Sequence, residues 1–394
     1  MQTYTVQTAD PSSDKEPVLV ERRMASLDGW RGVAILAVFF RHYTVTTQSS
    51  QPLVQKISWL GAGGWVGVDL FFVLSGFLIT GILLDTREHK HYFRNFYARR
   101  TLRIFPLYYG IFALMLLLTP LLHLQWMPAH LLYPLYLGNI ASVANEASES
   151  IRPWFSLGVM WSLAVEEQFY LVWPFVVSWV PRKETLLKLV LAGMGFAFAA
   201  RVALHLILSP SAAVEWNYHV LPMRCDGLLT GALAAILLRQ GTLERANKLL
   251  RWPAWISAAV AIGIYAYDRS VDFHFLAVSL FLYPCLGWIF AKLLLVALQK
   301  DTWAYRIGSS KVLQFFGKYS YGIYVYHRLV DQHVVLQFFQ AKLHSKPLGS
   351  IAFFIEVFVL SVIAAVLSYE LYERHFLKLK KLFSYSARKV EAVA

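Results

Sequence analysis

"SLDGWRGVAILAVFFRHY", residues 26–43, holds the apolar run Gly32–Phe40 between Arg31 on one side and Arg41 and His42 on the other. The run is far shorter than the ~20 residues a helix needs to cross a bilayer. A crossing built on it therefore takes its ionisable groups into the membrane. Such groups cost ~2.5–3.5 kcal/mol each near a helix centre and usually face a protein interior where they act. The rest of the chain supplies the membrane context. Of 394 residues, 57% are hydrophobic and 15% charged, and the mean hydropathy is +0.47, whereas soluble domains carry roughly 25% charge.

Apolar runs recur along nearly the whole length. They predict an all-α polytopic membrane bundle of about ten transmembrane helices, near 28–47, 64–84, 104–123, 157–180, 187–208, 222–239, 254–268, 274–298, 319–340 and 350–372. The stretch "HLLYPLYLGNI", 130–140, is too short to cross and reads as interfacial or re-entrant. Charge fixes an orientation. With both termini cytoplasmic, the cytoplasmic segments carry 25 Lys and Arg and the opposite loops 5, the asymmetry expected of cytoplasmic loops. The net charge of +13 is explained by that distribution, and no nucleic-acid partner is expected. Three parts follow: a polar cytoplasmic segment (1–25), a membrane domain (26–376) and a basic cytoplasmic tail (377–394). Neither end is long enough to build a core of its own. Cys225 and Cys285 lie in apolar segments and suit small core residues better than a disulfide. No cleavable signal peptide is evident, and no internal repeat of the kind common in transporters.

The polar groups inside these spans carry the chemistry. Arg31 and His42 are eleven positions apart, three helical turns plus about 20°, so they share one stripe ~16 Å long. Asp69 sits in the second crossing at a depth similar to His42, where a carboxylate can orient an imidazole and hold its positive charge. Arg99, Arg100 and Arg103 enter the third crossing from the cytoplasm. Paired guanidinium forks suit phosphate, although an anchor to acidic headgroups explains them equally well. In "WSLAVEEQFYLVWP", 161–174, Glu166 shares a face with Ser162, Tyr170 and Trp173, while Glu167 lines up with Leu163, Leu171 and Pro174. An unpaired carboxylate at that depth needs a cation or a proton. Glu166 is therefore the expected functional carboxylate, and Glu167 a structural partner of Arg201 or Arg224. Arg224 and Asp226 form either a local ion pair or the lining of an outer cavity. Ser320, Tyr324 and His327 follow one stripe of the ninth crossing. His42, Glu166 and His327 are thus expected to converge near mid-membrane.

Six stretches in order, "LDGWRGVAILAVFFRHY", "GGWVGVDLFFVLSGFLIT", "RRTLRIFPLYY", "WSLAVEEQFYLVWP", "MRCDGLLTGALA" and "GKYSYGIYVYH", resemble the acyltransferase-3 family of integral membrane acyltransferases. The resemblance spans residues 26 to about 375. Its hallmarks here are Arg31 and His42 with ten residues between them, and the arginine pair Arg100 and Arg103. It implies transfer of an acyl group, commonly acetyl from acetyl-CoA, to a hydroxyl of a carbohydrate-containing acceptor, in a bacterial cell membrane. His42 is then the essential catalytic residue, with Glu166 and Asp69 assisting. Arg31, Arg100 and Arg103 hold acyl-CoA, Arg224, Asp226, Ser320, Tyr324 and His327 line the acceptor side, and no metal is expected. Many relatives of this kind carry a further extracytoplasmic esterase-like domain. No such stretch precedes Ala394, so the membrane domain, or a separate extracytoplasmic protein, is expected to complete the transfer. A rival reading is a proton-coupled transporter of an acidic solute, with His42, Glu166 and His327 as its relay.

Overall fold

The computed structural model describes residues 24–44, 61–144, 150–152, 155–268, 271–329 and 332–385. The polar head expected over 1–25 and the last residues of the tail lie almost wholly outside them. In chain order the helices are α1 (Ala25–Thr44), α2 (Val66–Asp85), α3 (Tyr92–Leu122), α4 (Gly138–Ala144), α5 (Met160–Trp179), α6 (Lys183–Ile207), α7 (Pro210–His219), α8 (Leu221–Gln240), α9 (Leu243–Leu249), α10 (Arg251–Asp268), α11 (Tyr283–Ala297), α12 (Trp303–Gly308), α13 (Lys311–Tyr326), α14 (Gln332–Lys342), α15 (Lys346–Ser368) and α16 (Arg374–Lys378). Apart from these and short 3-10 and π turns, the described residues hold one small antiparallel pair, Ser150–Arg152 with Phe155–Ser156.

Among the described residues, seven helical stretches are long and apolar enough to cross a membrane: those over 63–85, 92–122, 183–207, 210–240, 243–268, 278–297 and 348–383. Their outer faces present exposed Leu114, Leu117, Leu121, Leu206 and Leu360. So much uncovered aliphatic surface on long helices belongs in hydrocarbon, and the chain is an integral membrane protein. The stretch 130–140 does not cross. It forms a 3-10 turn, Pro128–Leu132, followed by the short α4.

Three helices fall short of the apolar standard, and they are the ones that carry the ionisable stripes. α1 holds Asp28, Arg31, Arg41 and His42, α5 holds Glu166 and Glu167, and α13 has 16 residues. Packing covers their polar faces. α1 lies along α13 and α2, α2 along α8, and α8 along α6 and α11. The α1–α13 contact is backbone against backbone: a Cβ added to Gly32 would lie 2.1 Å from the Leu313 carbonyl oxygen, and one on Gly317 would lie 1.7 Å from that of Asp28. Only glycine permits so close an approach.

One boundary departs from the sequence reading. The third crossing is expected from about residue 104, yet α3 begins at Tyr92 and runs 31 residues, with Pro106 and Pro120 inside it. The basic stretch before Pro106 is helical because its arginines and aromatics fit a helix that packs on one side. Arg99, Arg100 and Arg103 are therefore fixed on a rigid rod rather than carried on a loop.

Candidate active site

The α1–α13 contact brings His42 and His327 together from opposite ends of the sequence. His327 Nε2 lies 3.2 Å from His42 Nδ1. His42 Nδ1 is also 2.9 Å from the Val38 carbonyl oxygen, and His327 Nδ1 is 2.7 Å from that of Tyr324. A carbonyl only accepts, so each Nδ1 carries the proton and donates it. His327 Nε2 is then a bare lone pair that accepts from the shared His42 Nδ1–H. His42 Nε2 is left unprotonated, with no hydrogen-bond partner among the described residues. The assembly is held in place by Tyr43, whose hydroxyl donates to the His327 carbonyl. Phe39 stacks on Tyr43 at 4.3 Å between ring centroids.

Below this pair lies an inner cavity of about 90 Å³, lined among others by Arg31, Ser75, Arg100, Arg103, Glu166, Glu167, Tyr170, Ser320 and Tyr324. Tyr324 joins the two regions, its ring lying 5.7 Å from that of His327 and its hydroxyl 2.5 Å from Ser162 Oγ. The Ser75 and Tyr170 hydroxyls hydrogen-bond across the cavity wall, and the Arg100 guanidinium stacks over the Tyr170 ring at 5.0 Å. A second, larger cavity of about 520 Å³ shares Arg31, Arg100, Arg103 and Tyr321 with the first. The arginines thus stand at the junction of a wide antechamber and a narrow inner chamber.

Several expectations about the site need correction. Asp69 does not orient His42. It is ion-paired with Arg224, Oδ1 to Nη2 at 3.0 Å, and both are almost wholly buried. The cause is rotation along α2: Gly67 meets α1 at Ala34, and two residues further on the side chain is turned ~200° away. Arg224 and Asp226 are not a local pair either, since Asp226 binds Arg201 at 2.8 Å. Arg224 also lies 4.1 Å over the Tyr283 ring. These four charges neutralise one another inside the bundle, which explains their burial better than an acceptor lining does. Glu167 therefore finds neither Arg201 nor Arg224 available. It lines the inner cavity beside Glu166, and so does Leu163 from its own face. Among the described residues His42 and His327 are in direct contact, while Glu166 makes no direct hydrogen bond to His42 and lines the inner cavity with Tyr324.

Ser320 lines the inner cavity while its hydroxyl donates to the Gly317 carbonyl at 2.9 Å. Among the described residues no group of three or more His, Cys, Asp or Glu is placed to hold a metal ion. Sequence reasoning misses Ser75 and Tyr43 as parts of the site. Tyr43 directly follows His42, and Ser75 offers one signal, a hydroxyl in a helix that is otherwise mostly apolar.

Residues 24–370 match the family model described as an acyltransferase domain. The chain belongs to the acyltransferase-3 family. Peptidoglycan O-acetyltransferase OatA of Listeria monocytogenes is 27% identical over 329 residues, covering 77% of this chain and 48% of the relative. A putative O-acetyltransferase of Staphylococcus aureus is 26% identical over 387 residues, with 91% and 58% covered. A putative peptidoglycan O-acetyltransferase, YrhL of Bacillus subtilis, is 25% identical over 327 residues, with 78% and 48% covered. The chain spans about half the length of the curated relatives it matches. No solved structure matches it significantly.

Proposed function

We propose that this acyltransferase-3 protein is a membrane O-acetyltransferase. It moves an acetyl group from acetyl-CoA on the cytoplasmic side to a hydroxyl of a carbohydrate acceptor on the other. The observation that carries the reading is the bare Nε2 of His42, whose Nδ1 is held by the Val38 carbonyl and by His327. His42 Nε2 takes the proton of the acceptor hydroxyl as its oxygen attacks the thioester carbonyl. The C–O bond forms, the C–S bond breaks, and the departing thiolate of CoA takes up that proton. The developing imidazolium is stabilised by the Nδ1–H···Nε2 bond to His327, a charge-assisted interaction stronger than a neutral one. Direct transfer and transfer through an acylated Nε2 use the same lone pair.

The antechamber suits the phosphates of CoA, with Arg31, Arg100 and Arg103 at its inner end, and the slimmer pantetheine arm suits the inner cavity. Glu166 and Glu167 compensate the arginines there when no anion is bound. The three relatives' names include acetylation, and two name peptidoglycan, so a cell-wall or related surface glycan is the favoured acceptor class. The ten-crossing arrangement with both termini cytoplasmic belongs to this reading. It is supported by the lysine and arginine asymmetry and by exposed Trp179, Trp252 and Trp303, each at a helix end on the proposed cytoplasmic side.

The test pairs two measurements. CoA, but not inorganic phosphate, is expected to raise the melting temperature of the purified protein in detergent. Mass spectrometry of surface glycans is expected to lose an acetyl increment when the gene is removed. Absence of both effects would refute the proposal.

A further inference from the structure

The segment after α15 is more than a basic tail. It continues as α16 and a 3-10 turn, Leu379–Phe383, that docks against the first turns of α3. Asn95 Nδ2 donates to the Ser384 carbonyl at 3.0 Å, and Arg99 Nη1 donates to the Lys380 carbonyl at 3.4 Å. The Arg94 guanidinium lies 5.9 Å from the Phe383 ring centre. The same helix that presents Arg100 and Arg103 to the antechamber therefore also holds this segment in place.

Docking turns Lys380 into the antechamber, where it joins Arg31, Arg100 and Arg103 in the lining. The carboxylates of that lining are committed elsewhere. Asp28 bonds Arg31 at 3.3 Å, Asp85 clasps Arg239 with two bonds of 2.6 Å, and Glu373 accepts from Ser368 at 2.9 Å. Among the described residues no carboxylate lies within ion-pair distance of Arg100, Arg103 or Lys380; Glu166 and Glu167 stand on the inner-cavity side of the two arginines, and Lys380 is not in that lining. Three cations facing one partly buried space repel one another, and each loses part of its hydration there. Arginine cannot escape by losing its proton. An anion with several charges relieves the cost, and phosphate is the group for which such convergent donors are suited.

We propose that Leu379–Phe383 is part of the donor site, with Lys380 closing the antechamber across from Arg100 and Arg103 and binding a phosphate of the donor. The proposal rests on the acyl-CoA reading above. Phosphate could also come from an anionic lipid headgroup, and the experiment separates the two sources.

Transfer is measured for the wild type, Lys380→Gln, Lys380→Arg and, as a control, Lys381→Gln, whose side chain is exposed on the same turn. Each is supplied with acetyl-CoA or with acetyl-pantetheine, the same thioester without phosphates. Lys380→Gln is expected to raise the KM for acetyl-CoA about tenfold, as loss of one charge-assisted contact predicts, and to move acetyl-pantetheine much less. Lys380→Arg is expected to restore most of the loss, and Lys381→Gln to behave as wild type. A shift equal for both donors, or no shift at all, overturns the assignment. The assays run in neutral detergent with and without phosphatidylglycerol. An effect of Lys380→Gln seen only as lost response to that lipid also overturns it, in favour of a headgroup contact. A wild type that uses acetyl-pantetheine as well as acetyl-CoA, and that CoA does not inhibit, refutes the donor reading itself.

Discussion

Replacing His327 by alanine tests the histidine pair most directly. The substitution removes the acceptor 3.2 Å from His42 Nδ1 and leaves the Val38 carbonyl as the remaining partner of that N–H. In the ground state the loss is small, because the N–H is still bonded. In the transition state His42 becomes an imidazolium, and a hydrogen bond to a charged group contributes ~1.5–3 kcal/mol. At 1.36 kcal/mol per tenfold in rate, turnover falls about 10- to 160-fold. His327→Gln supplies a carbonyl acceptor and recovers part of that loss. The assay is turnover of purified protein at saturating donor and acceptor, with the folded fraction matched by melting temperature. KM values are expected to change little, since His327 acts through His42 rather than on substrate. His327→Ala retaining more than half of wild-type turnover would falsify the positioning role, and so would a glutamine variant no better than alanine.

His42→Ala is expected to abolish transfer at normal abundance, with any residual turnover above a few per cent of wild type removing it from the chemistry. Glu166→Gln and Glu167→Gln are both expected to lower kcat/KM for the donor by about tenfold, the loss of roughly one charged contact each, because both carboxylates line the arginine-rich cavity. Kinetics with either variant close to wild type would return that residue to a structural role. Asp69→Asn strands the Arg224 charge in the bundle and is expected to cost about 3–5 kcal/mol of stability. The folded fraction should nevertheless turn over normally. A variant that melts like wild type yet is inactive would return Asp69 to the chemistry.

Much of the architecture is legible in the sequence because lipid imposes a simple rule: long apolar runs become helices. Seven of the expected crossings coincide with helices that meet that rule. The family is readable from six motifs in order, and the stripe Ser320–Tyr324–His327 from helical spacing, which sets which residues share a face. What sequence leaves open is rotation about each helix axis relative to its neighbours. Depth places Asp69 level with His42, but the contact of Gly67 with α1 turns Asp69 toward Arg224 instead. The same ambiguity hides the Asp226–Arg201 pair, whose partners lie 25 positions apart. It also leads to an excluded Glu167, when a cavity between several helices can admit two adjacent residues of one of them. The docking of Lys380 depends on how the end of the last long helical stretch packs against the start of α3, which helical spacing alone does not specify.

The shortfall of α1, α5 and α13 in apolar length has a consequence for how the protein is made. In the ten-crossing arrangement these three segments are poor substrates for insertion one at a time, since each brings charge or too little hydrocarbon to partition by itself. α2 follows α1 almost at once and offers it a partner, but the surface that α13 needs is α1, synthesised some 270 residues earlier. α1 must therefore wait at the membrane, incompletely covered, until the last third of the chain has emerged. Biogenesis is then a vulnerable stage in addition to final stability. Changes that add bulk at Gly32 or Gly317 are expected to divert the protein to quality-control proteases before a catalytic site exists. Pulse-chase labelling would register this as early loss of the newly made chain.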